Sequence, residues 1–363
     1  MRVKLKDITK FSKGTQINGK NLIDDGAYSY LNGGIKPSGK WNEFNVAENT
    51  VTISEGGNSS GYVNYMNEAF WCGAHCYYLY DGPKNSKYLY YALKSQQERL
   101  FRIRSGACMP NIKKSDLGNF IIEYEEDETR QEEVVKVLEK CELLIEDYNK
   151  KLALLDEAVR ARFVEMFGDP NYNPKGYKKD IIKDHIDLLS GYPFKSENYV
   201  DSGINICGGL VIMPQKIKWE ECVHWKSAIG YENYLLNNND IVMALDRPWI
   251  SEGFKIAKVD SKHLPALLIQ RTVRIRSIDM NQDYLYYCFI CGGFNKHCNV
   301  TGSLVPHISS KDIKSFEVML PPLELQNQFA SFVQEIDKSR SRIQKSLEAS
   351  QELFDSLMQE YFG

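Results

Sequence analysis

The chain has 363 residues, 43% hydrophobic and 26% charged, with a net charge of −3. That is the balance of an ordinary globular protein of about two domains, and no run of about 18 or more apolar residues exists to span a membrane as a helix. The charge is uneven: net +5 over residues 1–124, −7 over 125–169, +2 over 170–320 and −3 over 321–363, so the basic blocks are candidates to meet a polyanion and the acidic ones are not.

The start, MRVKLKDITK, has basic residues with no apolar stretch behind them, so no signal peptide is expected. Nine cysteines in that setting predict reduced, mostly buried thiols and a cytoplasmic location. In the first block, 1–124, Gly14 follows an L-K-D triplet, and Gly33, Gly34, Lys36, Lys40 and Trp41 form a polar loop. Strands are predicted at Thr50–Ser54 and Cys76–Tyr80, which are β-branched or aromatic runs bounded by Gly, Asn or Asp. The loop SEGGNSSGYV carries Asn58, Ser59 and Ser60, and His75 precedes the second strand. A helix KYLYYALKSQQERLF holds the tetrapeptide Tyr88–Tyr91, and PNIKKSD brings Lys113 and Lys114.

Residues 125–168 follow as a long helix. Val134, Leu138, Cys141, Ile145, Tyr148, Leu152, Leu155 and Val159 fall in alternating steps of four and three, a heptad seam first interrupted at Arg162 before Met166. About 37 residues without Pro or Gly correspond to roughly 55 Å of helix. The linker GDPNYNPKGY, 168–177, ends it sharply.

The second block is 169–320. It contains Gly191 after I-K-D, the exposed-type Lys195, and strands predicted at Asp240–Leu245 and Thr272–Ile275. The loop ALDRPWISEGF carries Arg247, Trp249 and Ser251, and Arg271 stands where His75 stands in the first block. DYLYYCFICGGF opens a helix on Tyr284–Tyr287, and PHISSKD holds His307 and Lys311. Residues 321–363 form the second long helix, with Pro321 and Pro322 at its start. Its seam runs through Phe329, Val333, Ile336, Ile343, Leu347, Phe354, Leu357 and Tyr361, with Arg340 and Ser350 as polar breaks.

The second half thus repeats the first. YLYY recurs 196 positions on, as do Gly106, Pro110, Ile112, Asp116 and Phe120, in the form of Gly302, Pro306, Ile308, Asp312 and Phe316. The shift is 177 at Gly14 and Gly191, and 195 at Gln131 with Gln326 and Phe167 with Phe362. The rise is loop-scale insertion in the second block. The expected fold class is mixed α/β, with two tandem domains separated by long helices in a pseudo-twofold internal repeat. Seams of equal length and register predict helices packed on each other; the alternative is that each helix packs only on its own block.

No P-loop, G-x-G-x-x-G, HExxH, G-x-S-x-G or N/D-P-P-Y/F motif is present, and no acid/base pair occupies matched positions. A binding protein without catalytic residues is expected. Cys288, Cys291, His297 and Cys298 have a zinc-like spacing, but the first copy has Ala92, Ser95, Phe101 and Arg102 there. Buried thiols, and no metal, are the preferred reading. The candidate DNA contacts are Lys36, Lys40, Trp41, Asn58, Ser59, Ser60, His75, Lys113 and Lys114, then Lys195, Arg247, Trp249, Ser251, Arg271, His307 and Lys311. Cations suit phosphates and forked or amide groups suit base edges, although such loops are often only solvated turns.

The order of variable block, helix ending MFGDPNYNPKGY, second variable block, LPPLELQNQFASFV and second helix resembles the specificity subunit of type I restriction–modification systems. The resemblance covers essentially the whole chain; the first copy departs from it at YEEDETRQE. It implies two target recognition domains, each reading one half of a split double-stranded DNA sequence, held apart by helices paired as an antiparallel coiled coil. It also implies a non-catalytic subunit that recruits two modification (methyltransferase) subunits and restriction subunits. S-adenosylmethionine, ATP and Mg would then sit on those partners, with no cofactor on this chain. Two other classes remain: a fused or truncated restriction–methylation enzyme fragment, and a coiled-coil scaffold with two protein-binding heads.

Overall fold

A computed structural model describes residues 1–106, 108–298 and 307–363; Gly302 and Pro306 of the repeated signature lie outside them. The chain divides into two compact units, Met1–Lys150 with Gln344–Gly363, and Lys151–Ile343.

In the first unit a four-stranded antiparallel sheet runs in the order Lys10–Lys13, Cys76–Tyr80, Thr50–Ser54, Val63–Met66. A second sheet runs Gly39–Trp41, Tyr28–Leu31, Phe70–Cys72, its last pair parallel. Arg2–Lys4 pairs antiparallel with Ile121–Glu123. The second unit repeats every step. Its larger sheet is Ile186–Ser190, Thr272–Ser277, Ile241–Ala244, Ile256–Lys258. Its smaller sheet is Val223–Trp225, Ile204–Cys207, Ala266–Leu268, again with the last pair parallel, and Lys179–Ile181 pairs with Glu317–Met319.

The four strands expected from the sequence are thus present. Thr50–Ser54 and Ile241–Ala244 lie inside their sheets and are buried almost throughout; Ile241–Ala244 is a continuous apolar run, whereas the first strand buries Thr52 and Ser54 with its apolar residues. The extra residues of the second unit are loops: 208–222, with a hairpin of Ile212–Met213 and Lys216–Ile217, replaces 32–38.

The repeated glycines have a steric cause. Gly14 N donates to Cys76 O at 3.3 Å and Gly191 N donates to Thr272 O at 3.0 Å. A Cβ at either position would collide with the passing backbone carbonyl of Cys72 or Ile269, so no other residue fits.

The long helices are Glu128–Phe167 and Leu323–Phe362. Every seam position anticipated from the heptads, from Val134 to Val159 and from Phe329 to Tyr361, is buried or half-buried. The first helix lacks the prolines of the second, and Asp127 starts it instead: its carboxylate accepts from Thr129 N at 2.9 Å. Gln131 and Gln326 recur because each ties its helix to the chain entering it. Their side-chain amides donate to Glu125 O at 2.6 Å and to Pro321 O at 2.8 Å.

The ends of the helices complete the two cores crosswise. In the first unit, Val134 and Leu138 of the first helix share a core with Met358 and Phe362 of the second, and Arg130 lies over the Tyr361 ring at 5.8 Å. In the second unit, Phe163 and Phe167 meet Phe329, each with ring centroids 5.5 Å apart, and Arg340 pairs with Asp156 at 2.5 Å. Within each unit the helices therefore meet end against start, as antiparallel neighbours do.

The repeated tetrapeptide belongs to this arrangement. Tyr88 packs on Phe362 at 5.2 Å, and Tyr284 packs on Phe167 at 4.7 Å. Each long helix thus places its last phenylalanine against the tyrosine of the other repeat. The helices around the tetrapeptides are shorter than their patterns suggest: Ser86–Lys94 is followed by a separate Gln97–Arg102, and Gln282–Cys291 by Phe294–His297. The first break follows the Ser95–Gln96 turn, where Ser95 Oγ bonds back to Ala92 O at 3.0 Å.

Candidate nucleic-acid interface

At one end of the first unit's sheets, the loops after Leu31, Ser54 and Cys72 converge with Pro110, Asn111 and Ile112. Glu55 N donates to His75 O at 2.8 Å and Ile112 N to Glu55 O at 2.9 Å, and Gly56 bridges to Asn111. Ser59 Oγ ties the second loop to Gly33 O. On this frame the Glu55 carboxylate receives Lys13 Nζ at 2.5 Å and faces His75 Nδ1 at 3.5 Å. Arg104 stacks on Phe101 at 4.7 Å and donates to Asn58 O at 3.3 Å.

The second unit builds the same frame with different side chains. Leu245 N donates to Arg271 O at 2.9 Å, Ile308 N to Leu245 O at 2.9 Å, and Asp246 bridges to His307. Leu245, Asp246, Arg271 and His307 therefore stand where Glu55, Gly56, His75 and Asn111 stand. Asn49 and Asn239 both take left-handed φ, 56° and 67°, as do Gly57 and Arg247, 77° and 46°.

Asp246, Arg247, Arg271 and His307 line a cleft of about 580 Å³ with Tyr199, Gly208 and Ile269. Arg271 Nη1 donates to Asp246 Oδ2 at 2.7 Å, and His307 Nδ1 lies 2.7 Å from Asp246 Oδ1. Burial pushes the Asp246 carboxyl up, but its bonds with His307 and Arg271 outweigh that and hold it below the ordinary carboxylate value. Lys255, buried beneath the cleft, donates to Gly209 O. Burial first, and then the charge of Arg247, hold its ammonium below the ordinary lysine value.

Of the residues singled out from sequence, Lys36, Asn58, Ser59 and His75 fall in the first loop cluster, and Arg247, Arg271 and His307 in the second. Lys113 and Lys114 are exposed at the start of the short helix beside Ile112, and Lys311 lies on the equivalent helix Ser310–Lys314. Ser251 is at an exposed hairpin tip and Lys195 faces Glu197 at 3.8 Å. One placement corrects the sequence reading, and three further residues lie on strands rather than in loops. Ser60 is buried and its hydroxyl donates to Glu55 O at 2.7 Å, so it shapes the loop. Lys40 and Trp41 sit on the strand Gly39–Trp41, where Trp41 pairs with Tyr28 away from the 32–38 tip and its ring meets Trp71 at 6.3 Å. Trp249 lies flat on Phe254 at 5.0 Å, anchoring its hairpin.

Sequence reasoning missed Glu55 and Asp246, because it sought cations; the signal available was a carboxylate just after each central strand. Among the described residues no His/Cys/Asp/Glu group could hold a metal ion. Cys288 is buried and its thiol raised by desolvation, and His297 Nε2 is bonded to Asp312 O at 2.9 Å. Nor is any described helix long and apolar enough to cross a membrane.

The sequence profile of the type I restriction modification DNA specificity domain matches residues 1–156 and 179–351. The chain belongs to this specificity family. It carries the family's domain twice, in agreement with the two like-built units. A putative type I specificity subunit of Mycoplasma pneumoniae is 37% identical over 149 residues, 40% of each chain. The MjaVIII type I restriction enzyme specificity subunit of Methanocaldococcus jannaschii is 26% identical over 284 residues, 71% of this chain and 67% of its own. The alignment with the M. pneumoniae relative thus spans less than half of that protein. The crystal structure of a type I restriction–modification S subunit from M. genitalium superposes with a TM-score of 0.65 at 19% identity, covering 100% of this chain and 96% of that one. A specificity-family fold over the full length is therefore shared.

Proposed function

We propose that this chain reads a bipartite, asymmetric DNA sequence, one half-site with each unit, for a type I restriction–modification enzyme. One observation carries the reading: the two loop clusters share a backbone hydrogen-bond frame and differ in the side chains mounted on it. Equal frames suit equal approaches to a duplex, and unequal side chains suit unequal base pairs. The long helices, seamed from end to end, set the distance between half-sites.

The subunit itself is non-catalytic. Two modification subunits bring S-adenosylmethionine and methylate the DNA, restriction subunits bring ATP and Mg, and the assembly works in the cytoplasm. Surface DNA affinity is shared with those partners, in keeping with the modest net charge of −3. Competition binding of the chain with its modification subunits to duplex pools tests this: one split, non-palindromic sequence outcompetes the rest. Equal affinity for all sequences at fixed salt overturns it.

A further inference from the structure

We infer that Arg271 reads the guanine of a G·C pair in the half-site of the second unit, with Asp246 as its positioning residue. This rests on the DNA-reading function proposed above.

A carboxylate on a surface that meets phosphates is repelled by them, so a role for Asp246 must offset that repulsion. Its two oxygens are each taken by a cation-capable group, Arg271 on one and His307 on the other, both at 2.7 Å. The Arg271 side chain is nonetheless 75% exposed. Nη1 is its single hydrogen-bonding nitrogen among the described residues, which leaves Nε and Nη2 to donate outward. A guanidinium held on one edge presents its remaining donors in a fixed fork, and that fork matches guanine O6 and N7 in the major groove. Lysine in its place would keep the charge but lose the planar fork.

The backbone supports the same reading. Arg271 takes φ +63° and Arg247 φ +46°, the left-handed region that disfavours side-chain-bearing residues. In the first unit the second of these slots is filled by Gly57, φ +77°. Arginines kept at strained positions around one carboxylate mark side chains needed there. Arg247 is exposed, with no hydrogen-bonding partner among the described residues, a cation suited to a phosphate.

The test uses the full chain with its modification subunits and a pool of random duplexes, sequenced after selection. Arg271→Ala should flatten the preference at one G·C pair, by about ten- to a hundredfold, with Arg271→Lys restoring only part of it, and leave the half-site of the first unit unchanged. Asp246→Asn should weaken the same position and no other, and Asp246→Glu should recover part of it. Arg247→Ala should lower affinity for all sequences alike. A single cooperative melting transition of each variant shows that it folds. If Arg271→Ala leaves every base preference intact, or lowers binding uniformly with a shallower salt dependence, Arg271 is not a base reader and the inference falls while the DNA-reading function stands. If the unmodified assembly selects no sequence, both fall.

Discussion

The two loop clusters share their hydrogen bonds and almost none of their exposed side chains. In the first, Glu55 holds Lys13 and faces His75, with Asn111 opposite. In the second, Asp246 moves one residue along the chain and holds Arg271 and His307. Buried features recur faithfully: the glycines that let chains pass, the tyrosines under the helix ends, the glutamines at the helix starts. The comparison teaches that duplication preserved whatever packing required and released whatever faced outward.

The largest effects should come from breaking the preserved part. Phe167 and Phe362 are repeat equivalents, each almost fully buried. Replacing either with alanine should cost about 3–5 kcal/mol. The loss should appear crosswise: Phe362→Ala exposes the strands of the first unit, and Phe167→Ala those of the second. Hydrogen exchange on Thr50–Ser54 and Ile241–Ala244 would resolve the two; the opposite assignment would mean that each helix serves only its own repeat. Next is Gly191→Ala, which should cost about 1–3 kcal/mol through backbone displacement, measured by denaturant midpoint, with Gly14→Ala equivalent in the first unit.

Smaller effects sharpen the part that differs. His75→Ala should alter base preference only in the half-site of the first unit, by about 1–3 kcal/mol at one position, read from the selected motif. The smallest effect is on acidity. The Asp246 carboxyl is lowered in the folded chain, so its contribution is present above the ordinary value of about 3.9 and is lost as pH falls through the lower folded value. Being partly exposed, it contributes about 1 kcal/mol or less. Asp246→Asn should remove that acid-side slope from a stability-against-pH curve.

Much of the fold was legible in the sequence because its signals are periodic or repeated. The heptads located the seam from Val134 to Val159, and the repeat located the equivalent long helices at a shift of 195 and the tetrapeptide helices at 196. Crosswise completion was not legible: a phenylalanine at the end of a helix says that it is buried, not beside which tyrosine. Within the candidate interface, insertions move the shift to 190 between Gly57 and Arg247, which hid that pair among the gaps. Ser60 looked like a contact residue by composition alone, and only its burial and its hydrogen bond to Glu55 O tell otherwise.

The central claim is that two unlike readers on one frame define one split site. Mapping methylated bases across DNA from cells expressing this chain with its modification subunits tests it most directly. The account predicts a single motif in two parts, with different half-sites and a fixed spacer between them. A palindromic motif, a one-part motif or methylation without a motif would contradict it.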